Sequence, residues 1–341
     1  MKKSLVAIAA LSALLSACGG GGDSGGGTSS TPASGGSTSP AVTPPPPSSV
    51  APATSAPTPT YASADQRLSA FSALNTVRSK MGVGMLKQDT ILDQAAENHL
   101  TYAKTNSVMS HTETQGQAGF TGVTPFDQVV AAGGSRSQWI GQEMGQAGYL
   151  SGAECVAGWL HSVYHLQGAT SNQENVGIAF HDNYCVVNFA VVTGANGGGY
   201  GLPQWGGQQL PTNAVAYYPL DNDSVVGSFN PATESPNPAA DLTSAGTPIM
   251  FRVGAPQSTD VLTVSSFTLT GPGGASVPVR VLVPSAAKSG SMSGAVADSN
   301  LYAGVVFMLP TQPLAAGMYT ATFSGARNGT SISKSWSFSA F

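Results

Sequence analysis

All five histidines of this 341-residue chain, His99, His111, His161, His165 and His181, fall between residues 99 and 185, together with two of its three cysteines, Cys155 and Cys185. Chemistry that needs an imidazole is therefore confined to that stretch. His161 and His165 stand four apart, a spacing that lets two imidazoles on one helix face reach one metal. The segment His161-Ser162-Val163-Tyr164-His165 lacks the glutamate of a zincin motif, and no third ligand follows it, which argues against a protease of that type. His161 reads as a rim residue, His181 as a turn residue without a specific role, and His99 as a satisfied core histidine. Glu154 reads as a surface charge near a helix start. Cys155 falls on a helix and Cys185 at the start of a strand. A bridge between them would close a loop of about 30 residues, worth roughly 3–4 kcal/mol; the alternative is a catalytic thiol. The glycines of 194–201 do not sit between a strand and a helix, so nucleotide binding has no support.

These side chains need a scaffold. Leu68, Phe71, Leu74, Val77 and Met81 recur at helical spacing behind a Ser63/Asp65 cap, with Gly82 as the stop. A second helix is expected over 89–105, and Thr124-Pro125 opens a short third one closed by Gly133-Gly134. A fourth is expected over 153–166, carrying Val156, Trp159, Leu160 and Val163. Two runs rich in β-branched and aromatic residues follow, 176–180 and 185–193, joined by the turn His181-Asp182-Asn183. Helices followed by paired strands predict an α+β layer structure. Beyond Gly197-Gly198-Gly199 the helical period vanishes. Short runs at 249–253, 261–269, 277–283, 303–309, 318–323 and 331–338 predict an all-β sandwich of about 125 residues, immunoglobulin-like in size.

The N-terminus has another purpose. Lys2 and Lys3 precede an apolar stretch, 5–15, too short to span a bilayer and shaped like a secretory signal. It ends Leu15-Ser16-Ala17-Cys18, which resembles the lipobox of bacterial lipoproteins. That resemblance implies cleavage before Cys18 and three acyl chains upon it, more than stable anchoring requires. Gly19 rather than Asp follows the cysteine, which favours the outer membrane. Residues 19–60 are nearly all Gly, Ser, Thr, Pro and Ala, with Asp23 the single charge, and read as a stalk that cannot fold by itself. With 13 basic against 17 acidic residues and a net charge of -4, no basic face is available for nucleic acid.

The order of motifs over about 65–193 carries a further resemblance. Leu74-Asn75-x-x-Arg78, Leu92-x-x-Ala95-Ala96-x-x-His99, Ser110-His111-Thr112, Pro125-Phe126-Asp127, Gly141-Gln142-Glu143, Trp159-x-x-Ser162-x-x-His165 and Val176-Gly177-Ile178 are similar to the bacterial branch of the CAP superfamily. This is the cysteine-rich secretory protein, antigen 5 and pathogenesis-related fold, also called the SCP domain. The resemblance implies a three-layer α-β-α sandwich with a cleft whose floor carries histidines and an acid. By position, His111 matches the first cleft histidine, Glu143 the glutamate of the Gly-Glu-Asn signature, and His165 the histidine of the bacterial Ser-Pro-Gly-His segment. Met144 replaces the signature Asn, and Ser162 occupies the place of a second glutamate found in animal members. The C-terminal region resembles the immunoglobulin-like modules that follow some bacterial CAP domains, and transfers no functional residue.

Two imidazoles and a carboxylate, His111, Glu143 and His165, are a three-ligand set that would leave a fourth position open on zinc. Without metal the same trio could move protons near neutral pH. The expected layout is a signal peptide (1–17), a lipidated Cys18 with a disordered linker (18–62), a CAP domain (63–200), a second linker (201–214) and an immunoglobulin-like sandwich (215–341). The expected protein is an outer membrane lipoprotein whose cleft binds a metal, lipid or envelope ligand. Two alternatives stay open: a hydrolase of peptide or peptidoglycan bonds using the same cleft, and an adhesin acting through the sandwich. The expected partners are the membrane, through Cys18, and a small ligand or envelope polymer, with no nucleic acid.

Overall fold

A computed structural model describes residues 48–341 apart from 146, 147, 149, 202–204 and 258. The signal segment, Cys18 and most of the stalk lie outside the described residues. Five helices, α1 (Gln66–Met81), α2 (Thr90–Asn106), α3 (Pro125–Ala131), α4 (Gly152–Leu160) and α5 (Tyr164–Ala169), accompany five strands in the first half. These are β1 (Lys87–Gln88), β2 (Trp139–Gly145), β3 (Asn175–His181), β4 (Tyr184–Val191) and β5 (Gly199–Tyr200), ordered β1-β3-β4-β2-β5 in one sheet.

The alternation of β3 and β4 explains the layers. Val176 and Ile178 with Cys185, Val187 and Phe189 pack toward α1, α4 and α5. The intervening Ala179, Val186 and Ala190 pack toward α2 and α3. A sheet apolar on both faces must be covered twice, which gives the α-β-α sandwich. Gly177 is needed here, because a Cβ at this position would collide with the backbone of Leu92 and Asp93 in α2. Cys155 of α4 is bonded to Cys185 of β4, tying helix to sheet.

The second half contains β6 (Val215–Tyr218), β7 (Ser224–Val225), β8 (Ile249–Val253), β9 (Leu262–Thr270), β10 (Ser276–Val277), β11 (Val279–Pro284), β12 (Val296–Asp298), β13 (Val305–Pro310), β14 (Gly317–Arg327) and β15 (Thr330–Ala340). They form two five-stranded sheets, β10-β9-β14-β15-β7 and β12-β11-β13-β8-β6. Phe251 of one sheet stacks on Phe323 of the other, with Phe267 and Trp336 beside them, so the apolar faces close on each other as a β-sandwich. Among the described residues no helix is long and apolar enough to cross a membrane.

Three expectations need correction. The expected linker ends too late: from residue 48 onward its Pro-rich part lies against the first domain. Val50 exchanges backbone hydrogen bonds with Gly207 and Gln209, and Met85 N–H donates to Ala53 C=O at 2.9 Å. A segment too polar to make a core can still add backbone pairs to an existing edge. Within the expected second linker, residues 208–210 are likewise not a free spacer, since Gln208 and Gln209 are buried and Leu210 belongs to the core. Finally, the helix expected over 153–166 is broken at His161 into α4 and α5, so His161 and His165 do not share a helix face.

Candidate functional site

Glu143 stands on β2, His165 on α5, and His111 on the loop from α2 to α3; all three line one open cavity of about 210 Å³. His161 and His181 are not part of it. His99 is fully buried, with Nδ1 2.9 Å from Glu113 Oε1 and Nε2 2.9 Å from Ser110 C=O. Glu113 also accepts from the amides of Thr121 and Gly122. This pair holds the loop that presents His111 and confirms His99 as a satisfied core residue.

A chain of amides sets the state of His111. Gln142 Nε2 donates to Asn188 Oδ1 at 3.0 Å and Gln128 Oε1 at 3.2 Å, so its Oε1 is left as an acceptor. His111 Nδ1, 3.0 Å away, must then carry the proton, and Nε2 is bare. Burial pushes the imidazole below its usual range, against the hydrogen bond to Gln142, which keeps it neutral at neutral pH.

Glu143 is only 5% exposed, and neither carboxyl oxygen has a hydrogen-bond partner. Burial, and next the charge of Glu234, raise its carboxyl well above the usual range, outweighing the Ala169 amide, which approaches without completing a hydrogen bond, and the charge of Arg78. The environment therefore favours the protonated, neutral carboxyl. Gly168 of α5 lets it lie this close, because a Cβ there would meet Glu143 Oε1.

His165 has a partner that sequence reasoning missed. Its Nδ1 lies 3.1 Å from Glu234 Oε1 and 3.0 Å from Ser162 Oγ. Glu234, Ser235 and Tyr302, all from the C-terminal half, form part of the cleft lining. The resemblance of this region to immunoglobulin-like modules pointed to none of these three residues. Glu234 lies in the sequence Glu234-Ser235-Pro236-Asn237-Pro238, where nothing local signals that a histidine 69 positions earlier is its neighbour. Burial pushes the Tyr302 hydroxyl up to about 12, with Arg252 pulling the other way, so the phenol keeps its proton.

The zinc set implied by the family resemblance does not fit this arrangement. Among the described residues no three His, Cys, Asp or Glu side chains are grouped so as to hold a metal ion.

An α-β-α sandwich with a histidine and glutamate cleft defines the class. Residues 71–201 match the model of the Cysteine-rich secretory protein family, CAP. Residues 71–201 thus form a CAP domain, which a β-sandwich follows, and the Cys155–Cys185 bridge fits an exported protein. Partial similarity extends to an extracellular protein containing a SCP domain from Bacillus anthracis str. Ames, at 23% identity and a TM-score of 0.32, covering 36% of this chain and 39% of that one. It extends also to an outer surface protein from Borrelia burgdorferi, at 18% identity and a TM-score of 0.32, covering 38% of this chain and 95% of that one. PcoC, a copper resistance protein from Escherichia coli, is 16% identical over 37% of this chain and 95% of its own, with a TM-score of 0.22. No curated protein sequence matches the chain.

Proposed function

We propose that this is a lipid-anchored CAP-domain protein of the cell envelope whose cleft binds a small polar group of an envelope polymer. The observation that carries this reading is the Glu143 carboxyl, buried beside the cavity without a hydrogen-bond partner. Leaving such a group unsatisfied costs about 1–3 kcal/mol, which a ligand that accepts its proton recovers. The bare Nε2 of His111 supplies an acceptor in the same cavity, so a ligand carrying both a carbonyl and an N–H or O–H group is complementary. Peptide and peptidoglycan fragments carry both. The lipobox-like Leu15-Ser16-Ala17-Cys18 supports the anchor, and acylated Cys18 in the mass spectrum of the N-terminal peptide is its test.

Calorimetric titration with solubilised peptidoglycan fragments tests the cleft. Binding should weaken at least about tenfold in Glu143→Ala and in His111→Ala, the equivalent of roughly 1.4 kcal/mol each. Equal affinity in wild type and both variants sinks the reading. Tight Zn²⁺ binding that vanishes in the His111→Ala, His165→Ala double variant would replace it with a metal centre.

A second reading is favoured by one observation: environments push Glu143 up and His111 down, which places a neutral acid and a neutral base in one cavity. Such divergence is how acid and base roles are divided in hydrolytic sites. Fragment cleavage that disappears in Glu143→Gln would support it; cleavage that persists would remove it.

A further inference from the structure

The helix that carries His165 is held chiefly from outside its own domain. α5 is six residues long, too short to be stable by itself. The amides of Val163, Tyr164 and His165 donate to the Glu234 carboxylate at 2.9, 2.7 and 3.2 Å. At the other end, Ala169 C=O accepts from Arg78 Nη1 and Thr170 C=O from Arg252 Nη1. A carboxylate at the N-terminus and guanidinium groups at the C-terminus both complement the helix dipole. Burial pulls Arg78 down to about 9 and Arg252 to about 10, which leaves both charged at neutral pH. Between the ends, Tyr164 O–H donates to Asp298 Oδ2 at 2.8 Å, and Gln167 bonds to Asn300 C=O and Tyr302 N–H, each at 2.9 Å. Arg78 apart, every one of these partners belongs to the C-terminal half.

The carboxylate that caps the helix also reaches the ring. Glu234 Oε1 lies 3.1 Å from His165 Nδ1, and its side chain is 1% exposed, so water does not compete for it. Ser162 O–H donates to Trp159 C=O at 3.2 Å, which turns a lone pair toward the same nitrogen. Both neighbours accept, so Nδ1 carries the proton and Nε2 is free for a ligand.

We propose that Glu234 is a positioning residue of the cleft: through it the C-terminal half sets the orientation and tautomer of His165, so the ligand site belongs to both halves of the chain. The functional meaning rests on the cleft-binding reading above, but the state of the ring does not require a ligand.

Long-range ¹H–¹⁵N spectra of the full chain with ¹⁵N-labelled histidines, recorded at pH 8.5 without ligand, test this. Wild type should show His165 as a single Nδ1–H form. In Glu234→Ala, Ser162 alone remains beside Nδ1 and is free to donate instead, so a mixture with Nε2–H as the larger share is expected. Glu234→Gln, which keeps one acceptor oxygen, should give an intermediate mixture, and it carries the test alone if the alanine variant does not fold. Tyr164→Phe loosens the same interface without touching a partner of the ring and should look like wild type. A single Nδ1–H form retained in both Glu234 variants overturns the proposal, as does an equal change in Tyr164→Phe, which would reduce Glu234 to a structural prop. Either result leaves fragment binding by the cleft standing. Absent fragment binding, with the expected ring spectra, would instead remove the binding reading and keep this one.

Discussion

Replacing Glu143 with methionine should make the protein more stable and its cleft inactive. The side chain is buried at the edge of the cavity, and neither oxygen meets a protein group in hydrogen-bonding geometry. Methionine has a similar volume and no polar group to satisfy, so the swap avoids both cavity and overpacking. Removing one unsatisfied buried carboxyl is worth about 1–3 kcal/mol. The gain should also depend on pH. Because the folded carboxyl titrates above the unfolded one, near pH 4.3, folding takes up a proton in the window between the two values. The proton-linked stability of wild type is therefore present below that unfolded value and lost as pH rises toward the folded one. Methionine binds no proton, so the difference between the two proteins should widen with pH across that window. Urea unfolding at a series of pH values, with unchanged m, is the assay. A methionine variant less stable than wild type by more than about 1 kcal/mol, or a difference independent of pH, would show that the carboxyl is satisfied internally and is not held open for a ligand.

Two further outcomes follow from the scaffold. The Cys155→Ala, Cys185→Ala protein should lose roughly 3–4 kcal/mol, the loop-closure value for a separation of 30 residues, and its urea midpoint should no longer respond to reductant. Glu113→Gln should cost about 2 kcal/mol at pH 7, the worth of hydrogen bonds to a buried charge. Burial raises the Glu113 carboxyl, but His99 and the amides of Thr121 and Gly122 outweigh it and hold the group below its usual range. Its contribution is thus present above about pH 4.3 and lost as pH falls through the folded value, so the two unfolding curves should converge in acid.

The parts of the fold that were legible share one physical property: their signals are local. α1 shows itself by apolar spacing behind an Asp65 cap, α2 by its apolar inner face, and β3 and β4 by their β-branched runs. β2, which carries Glu143, was not called from periodicity, because Trp139-Ile140-Gly141-Gln142-Glu143-Met144-Gly145 has two glycines and three polar or flexible side chains and no apolar alternation. It becomes a strand because β4, 40 or more residues away in the chain, pairs with it along its whole length. The unbroken helix over 153–166 failed for a related reason. Glu234 satisfies the free amides that a break at His161 creates, and that acceptor arrives from 70 residues away.

The sequence by itself carried the CAP-like order of motifs, the confinement of imidazole to one domain, the two cysteines able to bridge there, and a resemblance that pointed to His111, Glu143 and His165 as cleft residues. What those three residues are chemically was decided only by tertiary structure. An amide relay through Gln142 leaves His111 bare at Nε2, burial favours the protonated form of Glu143, and a carboxylate from the other half of the chain holds His165. Residue type and order are local information, whereas a proton's position depends on solvent exclusion and on charges a few ångströms away, which only the folded chain brings together.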